Sequence, residues 1–475
     1  LLPIAALLLT LAGTGATLAQ AATSETPGSA AEEAAGQLVP PTVTSTVRNQ
    51  LGFAFPEAPT TPSGPADPEL VEAIDQLFGS LQDGVDTRAL ADIEESEDPR
   101  AAWLISDVLR FFGPGPVFDI GQASFERLTG ADLSADPVAQ RSPWQSMTDH
   151  LMAWDIPALP EYERWKGALF TLVDPRWSPF FDDEDADIDW RLVSWGGVRM
   201  DDRPFGAVEP CPNGCIPALD VPAVTDMAGG SWYPDDRLVF GITVNGESRA
   251  YPKHIMEVHE MVNDVLGDHR LAIPYCTLCG SAQAYVTDDV EGADEMPVLR
   301  TSGLLSRSNK VMFDLPTMSV FDTFSGEAIS GPLHDAGVEL EQTSVVTSTW
   351  GDWKAAHPET TIVARDGGIG VDYPFDPLRG RDDDGAIFPI GAVDERLPTQ
   401  EKVLGVFTDD GQALAFPVAA TRAELEAGRP VNALGVTVVP DASGVRATRE
   451  DGGEVVGHEA FWFAWSQFNP DTLLW

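Results

Sequence analysis

Two stretches far apart in this chain can be laid over one another. RLVFGITVNGESRAYP (237–252) and EKVLGVFTDDGQALAFP (401–417) share a glycine inside a first apolar run and a turn that ends in glycine. Gly241 matches Gly405, Gly246 matches Gly411, and Ala250, Tyr251 and Pro252 match Ala415, Phe416 and Pro417. The second copy has one extra residue in its turn. Alternating apolar residues on either side of Asn245-Gly246 specify a β-hairpin. Two copies are too few for a solenoid. The feature therefore predicts a β-rich domain with a repeated hairpin, arising either by internal duplication or from shared hairpin chemistry.

Upstream the periodicity is different. DPELVEAIDQLFGSL places Leu70, Ile74, Leu77 and Leu81 at helical spacing, and DPRAAWLISDVLRFFG does the same with Trp103, Leu104, Val108 and Phe111. SPWQSMTDHLMAWD and EYERWKGALFTLVD continue the pattern. The expected fold class is α+β, an N-terminal helical domain (67–185) followed by a β-rich domain with the repeated hairpin (186–475). Residues 22–66, rich in Ala, Pro and Glu, read as a disordered tether. Residues 1–21 read as a signal peptide, an apolar run followed by Ala19-Gln20-Ala21. The run is too short to span a bilayer comfortably, and no later stretch approaches the roughly 18 apolar residues a membrane helix needs. The expectation is an exported chain, periplasmic or extracellular, with no membrane span in its mature form.

The 475 residues carry 75 acidic and 29 basic side chains, a formal net charge of −46. Such a chain repels phosphate backbones, which argues against nucleic acid as a partner. An unknown small molecule or an envelope partner remains.

The chemistry centres on IPYCTLCGSAQAY, which holds two of the four cysteines. Cys276 and Cys279 form a C-x-x-C pair followed by Gly280. That spacing suits a metal knuckle, a dithiol–disulfide couple, a single nucleophilic thiol or a structural disulfide. Gly280 stands where a c-type haem would need histidine. Cys211 and Cys215, in EPCPNGCIP, are expected to close a local loop as a disulfide.

Just upstream, PKHIMEVHEMVNDVLGDH carries an apolar stripe at Ile255, Val258, Val262 and Leu266, which predicts an amphipathic helix capped by Gly267. HEMVND lacks the second histidine of a zinc-protease helix. On a helix, His259 and Asn263 share one face, and Glu260 and Asp264 share the next. His259 is then a nitrogen ligand or base for Cys276, with Glu260 and Asn263 beside it. The expected metal set is Cys276, Cys279 and His259, for zinc or copper. Met312 and Met318 add soft side chains that would suit copper. The segment 299–334 mixes polar groups with short apolar runs, and Arg307, Asp314 and His334 are its expected binding groups.

Several stretches together resemble the bacterial family of unknown function DUF3179. These are CIPALDVP, SRAYPKHIMEVHEMVND, YCTLCGSAQAY, SGLLSRSNKVMFDLPTMS, GEAISGPLH, WGDWKAAHP and FWFAWSQFNPDTLLW. The resemblance runs from about residue 210 to 475 and implies an exported bacterial protein. It also implies that Cys276 matters more than Cys279, because similar sequences often read Cys-Pro-Leu-Cys or Cys-Pro-Leu-Thr at this place. The leading expectation is a thiol-centred site, metal-binding or redox. The rivals are a non-catalytic binding module with structural disulfides, and a cysteine hydrolase using His259 or His334 as base.

Overall fold

The computed structural model describes residues 38–42, 46–113, 115–212, 214–381 and 385–475. The expected signal peptide (1–21) and the tether as far as residue 37 lie outside these. From residue 46 on, the segment expected to be a disordered tether is packed against the body instead. Asn49 is only 2% exposed, and its Nδ2 donates to Asp136 Oδ1 at 2.8 Å. Phe55 is buried, and the Trp154 indole donates to the Pro56 carbonyl. A composition poor in core residues still docks when a few side chains are captured by a neighbouring surface.

The helical region follows the sequence closely. Helices run from Pro68–Ser80, Thr87–Glu95, Ala102–Leu109, Pro116–Thr129, Pro143–Trp154 and Tyr162–Val173. Asp67 and Asp86 accept from the first free N–H groups of their helices, and Gly130 ends Pro116–Thr129 in the left-handed conformation. After Phe181 the chain lays down five small sheets among the described residues.

Helices and strands do not form separate cores. Leu104, Leu109, Trp165, Phe170 and Trp177 pack in one cluster with Val193, Leu304, Val311 and Phe313 from the first sheet. Trp177 Nε1 donates to the Ser302 carbonyl, and Arg110 Nε to that of Trp195. All described residues fall in one compact unit, Gly36–Trp475.

The repeated hairpin is present and is part of a larger repeated circuit. In the first circuit the strands Leu238–Val244 and Glu247–Pro252 pair, and the helix Lys253–His259 follows. The strand Val346–Thr349 later returns antiparallel to the first of these, continues as the helix Trp350–Ala356, and ends in Thr361–Val363, parallel to the second. In the second circuit Lys402–Phe407 and Ala413–Pro417 pair, followed by Val418–Glu426. Gly457–Phe461 returns antiparallel, Trp462–Phe468 follows, and Leu473–Leu474 pairs parallel. Trp353 lies on Gly241 and Trp465 on Gly405, so closely that a Cβ at either glycine would come within 2.3 and 2.2 Å of the ring. Trp353 Nε1 donates to Thr360 Oγ1 at 3.0 Å, and Trp465 Nε1 to Thr472 Oγ1 at 2.9 Å. These matched details exceed what hairpin chemistry alone requires, and they favour duplication.

One helix expected from the sequence is cut short. Lys253–His259 is helical, but Glu260 takes a left-handed φ of 51° and Met261–Leu266 is a strand. It pairs with His269–Cys276 through a turn at Gly267 and Asp268, both at positive φ. The stripe Val262, Leu266 satisfies a period of two as well as one of four, and the tight turn decides in favour of the strand. His259 and Asn263 therefore do not share a helix face.

Candidate functional site

Two turns make the site. The strand His269–Cys276 delivers Cys276 to the C-x-x-C turn. Opposite, the strands Leu299–Ser306 and Asn309–Asp314 are joined by Arg307 and Ser308, both at positive φ (46° and 69°), the geometry of a tight hairpin turn. The Ser308 carbonyl then lies 3.8 Å from Cys276 Sγ and 3.5 Å from Cys279 Sγ. The Lys310 N–H donates to Cys276 Sγ at 3.4 Å. Both cysteines are free thiols and both are buried.

Their environments differ. Burial pushes the Cys276 thiol up, and nearby Glu260 adds to this. The Cys279 S–H and the N–H groups of Lys310 and Cys279, all donated to the sulfur, outweigh both and leave Cys276 below the usual thiol range. Burial and the neighbouring Cys276 push Cys279 well above it, against the pull of the Lys402 ammonium. The two sulfurs are thus unequal, Cys276 the more acidic and Cys279 the less.

A cavity of about 440 Å³ opens beside Cys276. Glu260, Thr277 and Lys310 line it with Cys276; Cys279 does not. The left-handed turn at Glu260 takes this residue off the helix end and toward Lys310. Lys310 Nζ lies 3.0 Å from Glu260 Oε2 and also donates to the Glu260 carbonyl, while Thr277 Oγ1 donates to Glu260 Oε1 at 3.1 Å. Lys310 is buried; burial pulls its ammonium down, and the Glu260 carboxylate and the Cys276 sulfur favour its charged form. The remaining lining is mixed: Ile216, Leu278, Leu304, Leu305 and Phe388 are apolar, whereas Thr301, the exposed Arg381 and the backbone of Gly196, Gly197 and Gly303 are polar.

Of the residues expected from the sequence, Cys276 and Glu260 line this cavity and Cys279 backs it. His259 is engaged elsewhere. Its Nδ1 donates to the Pro217 carbonyl at 2.6 Å, which leaves Nε2 to accept from the Tyr373 hydroxyl at 2.7 Å. Burial lowers its pKa despite the Pro217 bond. It is a neutral histidine with both nitrogens occupied, next in sequence to the residue that does face the sulfur. Asn263 Nδ2 donates to Asp220 Oδ1 and the Leu299 carbonyl. Asp314 accepts from the Val298 and Thr317 N–H groups and closes a turn. His334 pairs with Asp187 at 3.2 Å. Arg307 contributes through its backbone turn. None of these four lines the cavity.

Lys310 is one of the polar groups of the segment 299–334 but is not among the binding groups expected from it; the signal for it is its place in the otherwise apolar strand NKVMFD.

Among the described residues, the one group of three potential metal-ligand atoms is Asp201, Cys211 and Cys215. Cys211 and Cys215 are joined there as a disulfide, which leaves their sulfurs poor ligands. Cys276, Cys279 and His259 do not assemble into such a group. No described helix is long and apolar enough to cross a membrane.

No curated protein and no solved structure matches the chain. The family model described as protein of unknown function (DUF3179) matches residues 213–454. That span holds both hairpins, the C-x-x-C turn, Glu260 and Lys310, and the chain belongs to this family.

Proposed function

We propose that the chain carries a dithiol–disulfide exchange centre, with Cys276 as the attacking thiolate and Cys279 as the second sulfur. The observation that carries this reading is the division of the pair. Cys276 is on the cavity wall and is the more acidic thiol, whereas Cys279 is behind it and is the less acidic. In the exchange, the Cys276 thiolate attacks one sulfur of a disulfide R–S–S–R; that S–S bond breaks and RS⁻ leaves to be protonated. Cys279 then loses its proton and attacks the Cys276 sulfur of the mixed disulfide. A second RS⁻ leaves, and two electrons have passed from the protein dithiol to the substrate. Export, expected from the leading apolar run, would place this chemistry where disulfides persist.

Zinc or copper held by the two sulfurs is the competing occupant, and one experiment separates the readings. The chain is purified without chelators and assayed for metal. It is then equilibrated in thiol–disulfide buffers of graded potential, and the state of each cysteine is mapped by peptide mass spectrometry. The proposal expects a reversible two-electron titration that joins Cys276 to Cys279, with no metal. One zinc or copper per chain, lost in Cys276→Ser, would overturn it in favour of a two-sulfur clamp.

A further inference from the structure

The cavity also bears on what kind of disulfide can reach Cys276, an inference that rests on the exchange reading. Thiolate attack is in line with the S–S bond, so the substrate's sulfur must come into contact with Cys276 Sγ along one direction. Cys276 is only 2% exposed and lines the cavity. A disulfide on the surface of a folded protein cannot bring its sulfur there without its own surface entering first. A small molecule can, because a space of about 440 Å³ is at the lower end of small-ligand pockets.

The walls say what the body of that molecule is made of. Around Cys276 the wall is apolar, formed by Ile216, Leu278, Leu304 and Phe388, while Arg381 and Ile387, both exposed, line the outer side of the space. The charged side chains deepest in the site, Glu260 and Lys310, are already paired with each other. A polar substituent held beside Cys276 loses water and finds few unoccupied partners there, whereas an apolar one gains from burial.

We infer that the substrate of this site is a low-molecular-weight disulfide with an apolar body, and that folded protein disulfides are excluded. The chemistry is the balanced exchange given above, with R an alkyl or aryl group.

The test uses the reduced full-length chain and three disulfides. Dipropyl disulfide and bis(2-hydroxyethyl) disulfide have the same number of heavy atoms and differ in polarity; insulin supplies a folded protein disulfide. Rates at Cys276 are each divided by the rate with a free cysteine peptide, which removes the intrinsic reactivity of each disulfide. Iodoacetamide, small and neutral, reports separately whether Cys276 is a reactive thiolate.

The inference expects dipropyl disulfide to react about 10- to 100-fold faster than the hydroxyethyl compound, and insulin to be slower than both. Ile387→Trp, at an exposed position, should slow dipropyl disulfide more than iodoacetamide. Equal normalised rates for the three, with fast alkylation, would overturn the substrate class and leave the exchange centre standing. No reaction with any disulfide and no alkylation would overturn both.

Discussion

The two hairpin circuits share a scaffold and differ in what is hung on it. Each has a tryptophan on a strand glycine, Trp353 on Gly241 and Trp465 on Gly405, and each tryptophan bonds a threonine seven residues on. Each also ties the first residue of its Trp helix to the start of its hairpin, Trp350 N–H to the Arg237 carbonyl and Trp462 N–H to that of Glu401, both at 2.8 Å. Between hairpin and return strand the two diverge. The second circuit inserts one four-stranded sheet of short strands between Val431–Ala433 and Glu454–Val455. The first inserts the strands from Met261–Leu266 to Gln342–Thr343, and with them the C-x-x-C turn, Lys310 and the cavity. The proposed chemistry lies in one insertion, while the repeated part is scaffold. The second circuit also braces the thiol turn from behind. The Phe461 N–H donates to the Cys279 carbonyl at 2.8 Å, and Lys402 Nζ donates to that of Gly280.

This division can be broken most directly at the sulfurs. Cys276→Ser should abolish disulfide exchange altogether and leave thermal unfolding nearly unchanged, as read by exchange rate and calorimetry. Cys279→Ser should instead accumulate the mixed disulfide on Cys276, visible as a mass increase. Lys310→Met comes next in size. It leaves the Glu260 carboxylate without its buried partner, for a cost of about 3–5 kcal/mol in denaturant unfolding. Glu260→Gln in the same chain should return most of that stability.

The scaffold half of the comparison predicts matched losses. Gly241→Ala and Gly405→Ala each place a Cβ in contact with a tryptophan ring, and each should cost about 1–3 kcal/mol. If only one of the pair destabilises, the circuits are not mechanically equivalent. Of the two, only Gly405→Ala lies on a strand paired with Gly457–Phe461, so only it should also change Cys279 reactivity. Thr360→Val and Thr472→Val are smaller. Each leaves a buried indole N–H unpaired, for about 1–2 kcal/mol.

Both circuits also bury a neutral histidine. Burial, aided by Arg237, pulls His254 down to about 4, and burial, aided by Lys402, does the same to His458. Unfolded, each returns to the ordinary value of 6.5. The unfolded chain therefore binds more protons between these values, and stability falls as pH drops from 6.5 through about 4. His254→Gln and His458→Gln should each flatten part of that slope in urea titrations across the range.

The hairpins were legible because their signals are local: an alternating run, Asn245-Gly246, a closing proline. The packing of tryptophan on glycine was not, because Gly241 and Trp353 are far apart in the chain and each has an ordinary reading alone. The apolar stripe after His259 fits either period, and only the positive φ at Glu260 and the pairing with His269–Cys276 select the strand. That one change of element moves Asn263 away from His259 and turns Glu260 toward Lys310. The cysteine spacing marked the site in sequence. The partners of Cys276 did not show, because the Lys310 amide and the Ser308 carbonyl are backbone groups that any residue would supply, and Lys310's burial exists only through Glu260.

The most direct test of the account is the pH profile of Cys276 alkylation by iodoacetamide in the reduced chain, with Cys279→Ala beside it. The account predicts a midpoint below the roughly 8.5 of a free thiol, moving upward when the Cys279 S–H is removed. A midpoint at or above that value, unmoved by Cys279→Ala, would contradict a thiolate prepared by its neighbour.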